Sequence, residues 1–183
     1  MRFKSGLGQM EVSRFSNSIL KLQDVPTKTS KYLVEVGLPN WCTPHLYFGD
    51  FDEEYLPQLK SWCWACDWPE GYDSAVSKYP KARVLGSAMG NEPIILLPNN
   101  PRVFIFDNKG CELLFLNSDV QSLSRVIAKF DSIIETAVSE DQDAFINKTI
   151  PQTLINSFLD QIRGIELNST LWSSWAEACG KNA

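Results

Sequence analysis

Helices arranged around one meander of strands is the architecture the sequence predicts, and three observations predict it. First, short apolar runs at 82–88, 94–97, 103–106 and 113–116 are separated by turn-forming stretches: Gly90-Asn91, Pro98-Asn99-Asn100-Pro101 and Asp107-Asn108-Lys109-Gly110. Second, the apolar period changes from two to 3.6 after Leu116. Val120, Leu123, Ile127, Phe130 and Ile134 then form one helical stripe, widened by Val126 and Ile133. Third, further stripes of helical period stand before and after this unit. A helix that follows a meander so closely can lie back across it.

In order along the chain, residues 10–22 carry Val12, Phe15, Ile19 and Leu22 on one helical face, although Ser16-Asn17-Ser18 disfavours a helix interior. Pro26 opens a second helix with Tyr32, Leu33 and Val36 on its apolar side. Gly37 is placed for the left-handed position that ends it, before Leu38-Pro39. Leu46-Tyr47-Phe48 reads as a strand and 55–59 as a short helical turn. Within the central unit, Gly110 is the residue expected to take positive φ. Ser118 and Gln121 have the spacing of a reciprocal cap at the start of the long helix. Residues 141–147 read as a short helical piece. Pro151 starts a helix with a stripe of Leu154, Ile155, Phe158, Leu159 and Ile162 that Gly164 ends. Leu171, Trp172 and Trp175 suggest a last helix begun by Asn168 or Ser169.

Composition bounds the function. The 183 residues are expected to form one domain, 1–183, and 44% hydrophobic with 21% charged residues is ordinary for a soluble globule. A net charge of −5 argues against direct nucleic-acid binding. Met1-Arg2-Phe3-Lys4 does not begin an apolar signal sequence, and no apolar run reaches the roughly 18 residues needed to span a membrane. A cytoplasmic location without membrane contact is therefore expected. Five cysteines make an odd count, consistent with reduced thiols.

Residues 41–72 hold the only chemistry worth weighing. Cys42-Thr43-Pro44-His45 and Cys63-Trp64-Ala65-Cys66 formally match a Cys₃His zinc pattern, since paired thiolates and imidazole can grip one ion tetrahedrally. The loops lack the glycines that usually follow such knuckles, so no metal and no cofactor is expected; a zinc-stabilised domain or zinc-dependent enzyme built on Cys42, His45, Cys63 and Cys66 is the alternative. The Cys63/Cys66 pair is followed by Asp67-Trp68-Pro69-Glu70-Gly71, which cannot supply the long helix of a redox motif. His45 is the only histidine, and no nucleophile elbow accompanies it. Gly86-Ser87-Ala88-Met89-Gly90 lies between strands and lacks a phosphate-binding lysine, so it reads as a hairpin. No catalytic residue is expected. The same region gathers Trp41, Trp62, Trp64 and Trp68 around the acidic run Asp50, Asp52, Glu53 and Glu54. Aromatics at this density read as local core in a long connection. Alternatively, the carboxylates with Trp62, Trp64 and Trp68 form a patch facing a protein partner.

Three phrases bring a family into view. Thr29-Ser30-Lys31-Tyr32-Leu33-Val34-Glu35-Val36-Gly37-Leu38-Pro39, although it lacks a phenylalanine, resembles the opening helix and "GLP" turn of the SUKH superfamily. Leu85-Gly86-Ser87 through Glu92-Pro93-Ile94 resembles its hairpin, and Leu114-Phe115-Leu116-Asn117-Ser118 its strand-to-helix junction. Leu171-Trp172 is similar to its late tryptophan-bearing segment. Together they cover about 26–178 and most resemble the fourth, bacterial immunity-protein subfamily. The resemblance implies an α+β fold, with a curved, mainly antiparallel sheet packed with N-terminal and C-terminal helices. It also implies a non-catalytic protein that binds and neutralises a cognate toxin, often a nuclease, of a polymorphic toxin system. Other members of the superfamily are interaction modules without a toxin. The Cys/His pairs and the tryptophan cluster are not part of the family pattern.

Overall fold

A computed structural model describes residues 4–5, 8–9, 11–49, 56–64, 72–88, 91–168 and 170–180. The elements in chain order are β1 (Lys4–Ser5), β2 (Gly8–Gln9), β3 (Val12–Ser13), a 3₁₀ turn (Asn17–Lys21), α1 (Thr27–Glu35), β4 (Leu38–Pro39), β5 (Trp41–Cys42), β6 (Leu46–Phe48), α2 (Leu59–Trp64) and α3 (Tyr72–Val76). Then come β7 (Arg83–Ala88), β8 (Glu92–Leu96), β9 (Val103–Asp107), β10 (Glu112–Asn117), α4 (Val120–Glu140), α5 (Gln152–Arg163) and α6 (Thr170–Ala178). This is the α+β arrangement the resemblance implies. The meander extends to six antiparallel strands in the order β10-β9-β8-β7-β6-β5. Bulges between Val84 and Gly86 and between Phe115 and Asn117 break its register, and an extra residue in one strand bends and twists the sheet locally.

Alternation along the strands sorts side chains into two layers, because successive residues point to opposite faces. Leu85, Ile94, Leu96, Val103 and Ile105 join the larger core with Leu33 of α1, Leu123, Ile127 and Phe130 of α4, Phe158 of α5 and Trp172 of α6. Val84, Ile95 and Phe106 face the other way, into a smaller core with Leu59 of α2 and Tyr72, Ala75 and Val76 of α3. The sheet is thus covered on both faces, with α2 and α3 supplying the second cover. Where the larger core closes, the Trp172 Nε1–H donates to Asn117 Oδ1 at 2.9 Å, and Phe130, Phe158 and Trp175 surround the indole.

The structure corrects several expectations. Residues 10–22 are not a helix: β3 pairs with β4, and the Ser16 side chain caps the 3₁₀ turn by accepting from the Ser18 N–H. Serine and asparagine there satisfy the backbone locally, which competes with a continuous helix; Met10 lies outside the described residues. The helical turn expected at 55–59 begins only at Leu59. The Pro57 carbonyl accepts from the Val84 N–H and the Leu59 N–H reaches the Ala82 carbonyl, so this stretch pairs with the strand entry first; Tyr55 lies outside the described residues. Instead of the short helix expected at 141–147, Asp141 caps α4 and residues 142–148 form consecutive turns.

The cap of α4 is shifted by one residue. Asp119 accepts from the Ser122 N–H, and the Ser122 hydroxyl accepts from the Asp119 N–H. Ser118 is engaged elsewhere, donating its N–H and hydroxyl to the buried Glu166 carboxylate. In the β9–β10 turn, Cys111 (φ 51°) takes the left-handed position assigned to Gly110. Gly110 instead donates its N–H to Asp107 Oδ2, and a Cβ there would lie 2.6 Å from that oxygen, so the Asp107 side chain would have to shift. Other boundaries agree closely with the sequence reading. Gly37 (φ 82°) follows α1, Pro151 precedes α5, and Gly164 caps it.

Candidate partner-binding surface

The β5–β6 hairpin is where the sequence placed its chemistry, and its construction starts from the turn. Cys42-Thr43-Pro44-His45 contains a cis Thr43–Pro44 bond, and the His45 N–H donates to the Cys42 carbonyl at 3.0 Å. Proline in cis at the third position of a four-residue turn is the type VI arrangement. His45 then takes φ 74°, a conformation in which a side chain crowds its own backbone. Alternation along the hairpin sends Cys42, Leu46 and Phe48 into the larger core. Trp41 and Tyr47 are directly opposed on the other side, where Tyr47 is 48% exposed.

The hairpin is fastened beneath. The buried Thr43 hydroxyl donates to Asp131 Oδ1 of α4 at 2.6 Å. Asp131 Oδ2 and Glu135 Oε1 are buried without a hydrogen-bond partner among the described residues. Burial raises the Asp131 pKa from its ordinary 3.8 to about 6, the Glu135 carboxylate adds to the rise, and the Thr43 hydrogen bonds oppose it. At the base, Asn40 bridges to the N-terminal region: its side chain bonds Ser13 Oγ and Glu11 Oε2, and its N–H donates to the Glu11 carbonyl.

The Asp131 carboxyl gives a signed expectation. Below about pH 3.8 it is protonated in folded and unfolded chains alike and imposes no penalty. As pH rises through about 6, the folded chain must hold a buried charge and stability falls. Asp131→Asn keeps the oxygen that Thr43 uses and offers Glu135 a donor. We expect it to be more stable than the native chain at pH 7.5 by about 2 kcal/mol, since one pKa unit is worth about 1.4 kcal/mol. The two should converge only at about pH 3, below the unfolded pKa, where the carboxyl is protonated in both states. Urea denaturation at both values checks this, and a difference that does not change with pH would count against it.

At the surface, the His45 ring stands between two aromatic neighbours. Its centroid is 6.4 Å from Trp41, edge to face, and 6.1 Å from Phe145. Phe145 lies in the turns after α4, and Ile146 beside it is 76% exposed. Trp41 was legible as one of the clustered tryptophans. Nothing in the local sequence of 144–146 ties Phe145 to His45, because the contact depends on where α4 ends.

The other residues singled out in sequence fare differently. Trp62 is partly buried against the smaller core. Trp64 and Cys63 sit on α2, but their side chains lie outside the described residues, as do Trp68, Cys66 and the carboxylates Asp50, Asp52, Glu53 and Glu54. The acidic run is bounded by described anchors. Gly49 (φ 75°) leaves β6 with its N–H on the Leu85 carbonyl, and Leu56 is fully buried with its carbonyl accepting from Arg83. Arg83 also pairs with Asp24 at 2.9 Å. Of the proposed zinc donors, Cys42 is fully buried, and burial followed by the nearby Asp131 raises its pKa well above the ordinary thiol value. A metal-binding sulfur must be a thiolate. His45 is exposed at the surface instead. No group of metal-ligating side chains gathers among the described residues.

Comparison with known families decides the relationship. The model of the SUKH-4 immunity protein family matches residues 4–177. This chain belongs to the SUKH-4 immunity proteins. The match takes in every element described above except the end of α6, including the hairpin and the two-helix cover, so residues 41–72 lie within the family region despite their departure from its familiar phrases. No curated protein and no solved structure matches the chain. Membership supports an immunity-protein role, which entails binding a partner protein. No described helix is long and apolar enough to cross a membrane.

Proposed function

We propose that this SUKH-4 immunity protein acts without catalysis, in the cytoplasm, by binding and neutralising a cognate protein toxin of a polymorphic toxin system. The family match over residues 4–177 is the observation that carries the reading. A nuclease is the toxin class that the chain's chemistry favours. Nuclease clefts must hold phosphates and are basic, and a protein with a net charge of −5 can present carboxylates in their place. Co-expression with the toxin domain encoded beside this chain's gene tests it. Growth should be restored and the two should co-purify as a complex; continued killing with no complex at micromolar concentrations would refute it.

Within this reading, the run Asp50, Asp52, Glu53 and Glu54, flanked by Trp62, Trp64 and Trp68, is the proposed steering element toward the toxin. In sequence it follows closely on the strand that carries the exposed Tyr47. Neutralising all four carboxylates as amides should slow association several-fold at low salt. The effect should shrink at 0.5 M salt, where the screening length is only a few ångströms (~4 Å). Unchanged rates at both ionic strengths would place the steering charge elsewhere.

A further inference from the structure

We infer that the outer surface of the β5–β6 hairpin, with the turns after α4, is the anchoring site for the basic face of a partner protein, its centre formed by Trp41, His45, Tyr47, Phe145 and Ile146. This rests on the toxin-binding reading and specifies its site.

Four large apolar side chains are strongly exposed among the described residues; two of them are Tyr47, on the outer side of the hairpin, and Ile146, next in sequence to Phe145. Cross-strand pairing of Trp41 with Tyr47 and the ring contacts from Trp41 through His45 to Phe145 make the surface continuous. Isolated exposed apolar residues need no explanation, but a continuous aromatic surface points to a protein interface. Both halves are tied to the rest of the fold. Thr43 is bonded to Asp131. The second half is pinned by the buried Ala144 and by successive bonds from Ala144 N–H to Asp141, Asn147 N–H to Asp143 and Thr149 N–H to Ala144. Rigid aromatic groups lose little freedom on binding.

Two features identify the occupant. Glu140, Asp141 and Asp143, all exposed, immediately precede Phe145, while Lys148 at the end of the turns lies near Cys179. An aromatic centre bordered by carboxylates suits lysine and arginine, whose alkyl stems pack on rings while their charges meet the acidic border. A second copy of this chain would bring the same carboxylates against each other. His45 is the second feature. Glycine would fit φ 74° without crowding, yet the position holds an imidazole that places a polar, aromatic ring at the centre of the exposed surface.

The test uses the toxin domain encoded beside this chain's gene, with affinity, association rate and melting temperature measured for each variant. His45→Gly should melt no lower than the native chain yet bind more weakly. The triple variant His45→Gly/Tyr47→Ser/Ile146→Ser should remain folded and bind about 100-fold more weakly, chiefly through faster dissociation, as expected for loss of several central anchors. Leu167→Ser, at another strongly exposed apolar site, should bind as the native chain does. A folded triple variant that binds within about twofold of native, on the scale of surface contacts without binding energy, overturns the inference and leaves the toxin-binding reading intact. So does a triple variant that only converts a native dimer to a monomer in sedimentation. A native chain that binds no such toxin domain overturns both.

Discussion

Trp172→Ala should destabilise the protein by about 3–5 kcal/mol, the range for removing a large buried aromatic side chain. The residue is fully buried, and its ring packs against Phe130 of α4, Phe158 of α5 and Trp175 of its own helix. Truncation would therefore open a cavity between three helices, each held by its own backbone hydrogen bonds and unable to collapse fully into the gap. The polar consequence adds to it. Asn117 is also fully buried and accepts from the Trp172 indole, and its Nδ2 already has no hydrogen-bond partner among the described residues. Without the indole, the Asn117 oxygen is stranded as well, a loss of roughly 1–3 kcal/mol for a buried acceptor. Trp172→Phe helps separate the contributions, since it removes the donor while leaving an aromatic ring in the pocket. Urea denaturation of both variants gives the two values. An alanine variant within about 0.5 kcal/mol of native, as for surface sites, would mean that α6 does not close the core.

The junction around Asn117 also shows how far sequence could lead. Leu116-Asn117-Ser118 and Leu171-Trp172 stood out as separate phrases, and the meander and long helix between them followed from apolar period alone. Their meeting in space could not be read, because a hydrogen bond across 55 positions leaves no local trace. The same limit moved the α4 cap. Ser118 with Gln121 and Asp119 with Ser122 are equally good local pairs, and the choice depends on Glu166 arriving from the α5–α6 connection to take Ser118. Interior strands and helices bounded by proline or glycine were legible because each rests on local chemistry. The candidate surface was half legible. Trp41, His45 and Tyr47 lie on one hairpin, and strand alternation alone turns Tyr47 outward between Leu46 and Phe48. Phe145 and Ile146 reach it only because a helix of 21 residues ends beside that hairpin.

Gly86→Ala should be the most damaging change of a single atom group in the sheet, costing about 3 kcal/mol, the upper part of the usual overpacking range. Gly86 lies opposite Phe48 where β7 passes β6. A Cβ at this position would lie 1.9 Å from the Tyr47 carbonyl oxygen, 2.9 Å from the Tyr47 carbonyl carbon and 3.0 Å from the Phe48 Cα. All three are backbone atoms, so no rotamer change relieves the clash, and the hairpin must move off β7. That displacement should act on binding as well as folding, because the same strand holds Tyr47 against Trp41 and precedes Gly49, whose N–H bonds the Leu85 carbonyl. The requirement gives a physical reason for the glycine in the Leu85-Gly86-Ser87 phrase: one backbone must pass close against another. Ser87→Ala is the control, removing a hydroxyl from the next position without adding volume. In hydrogen exchange, the Gly49 amide should lose protection in Gly86→Ala and keep it in Ser87→Ala, while amides of β9 and β10 should change only as far as overall stability falls. A Gly86→Ala protein with native stability and a protected Gly49 amide would show that β6 does not lie against β7, and the hairpin surface would lose its support.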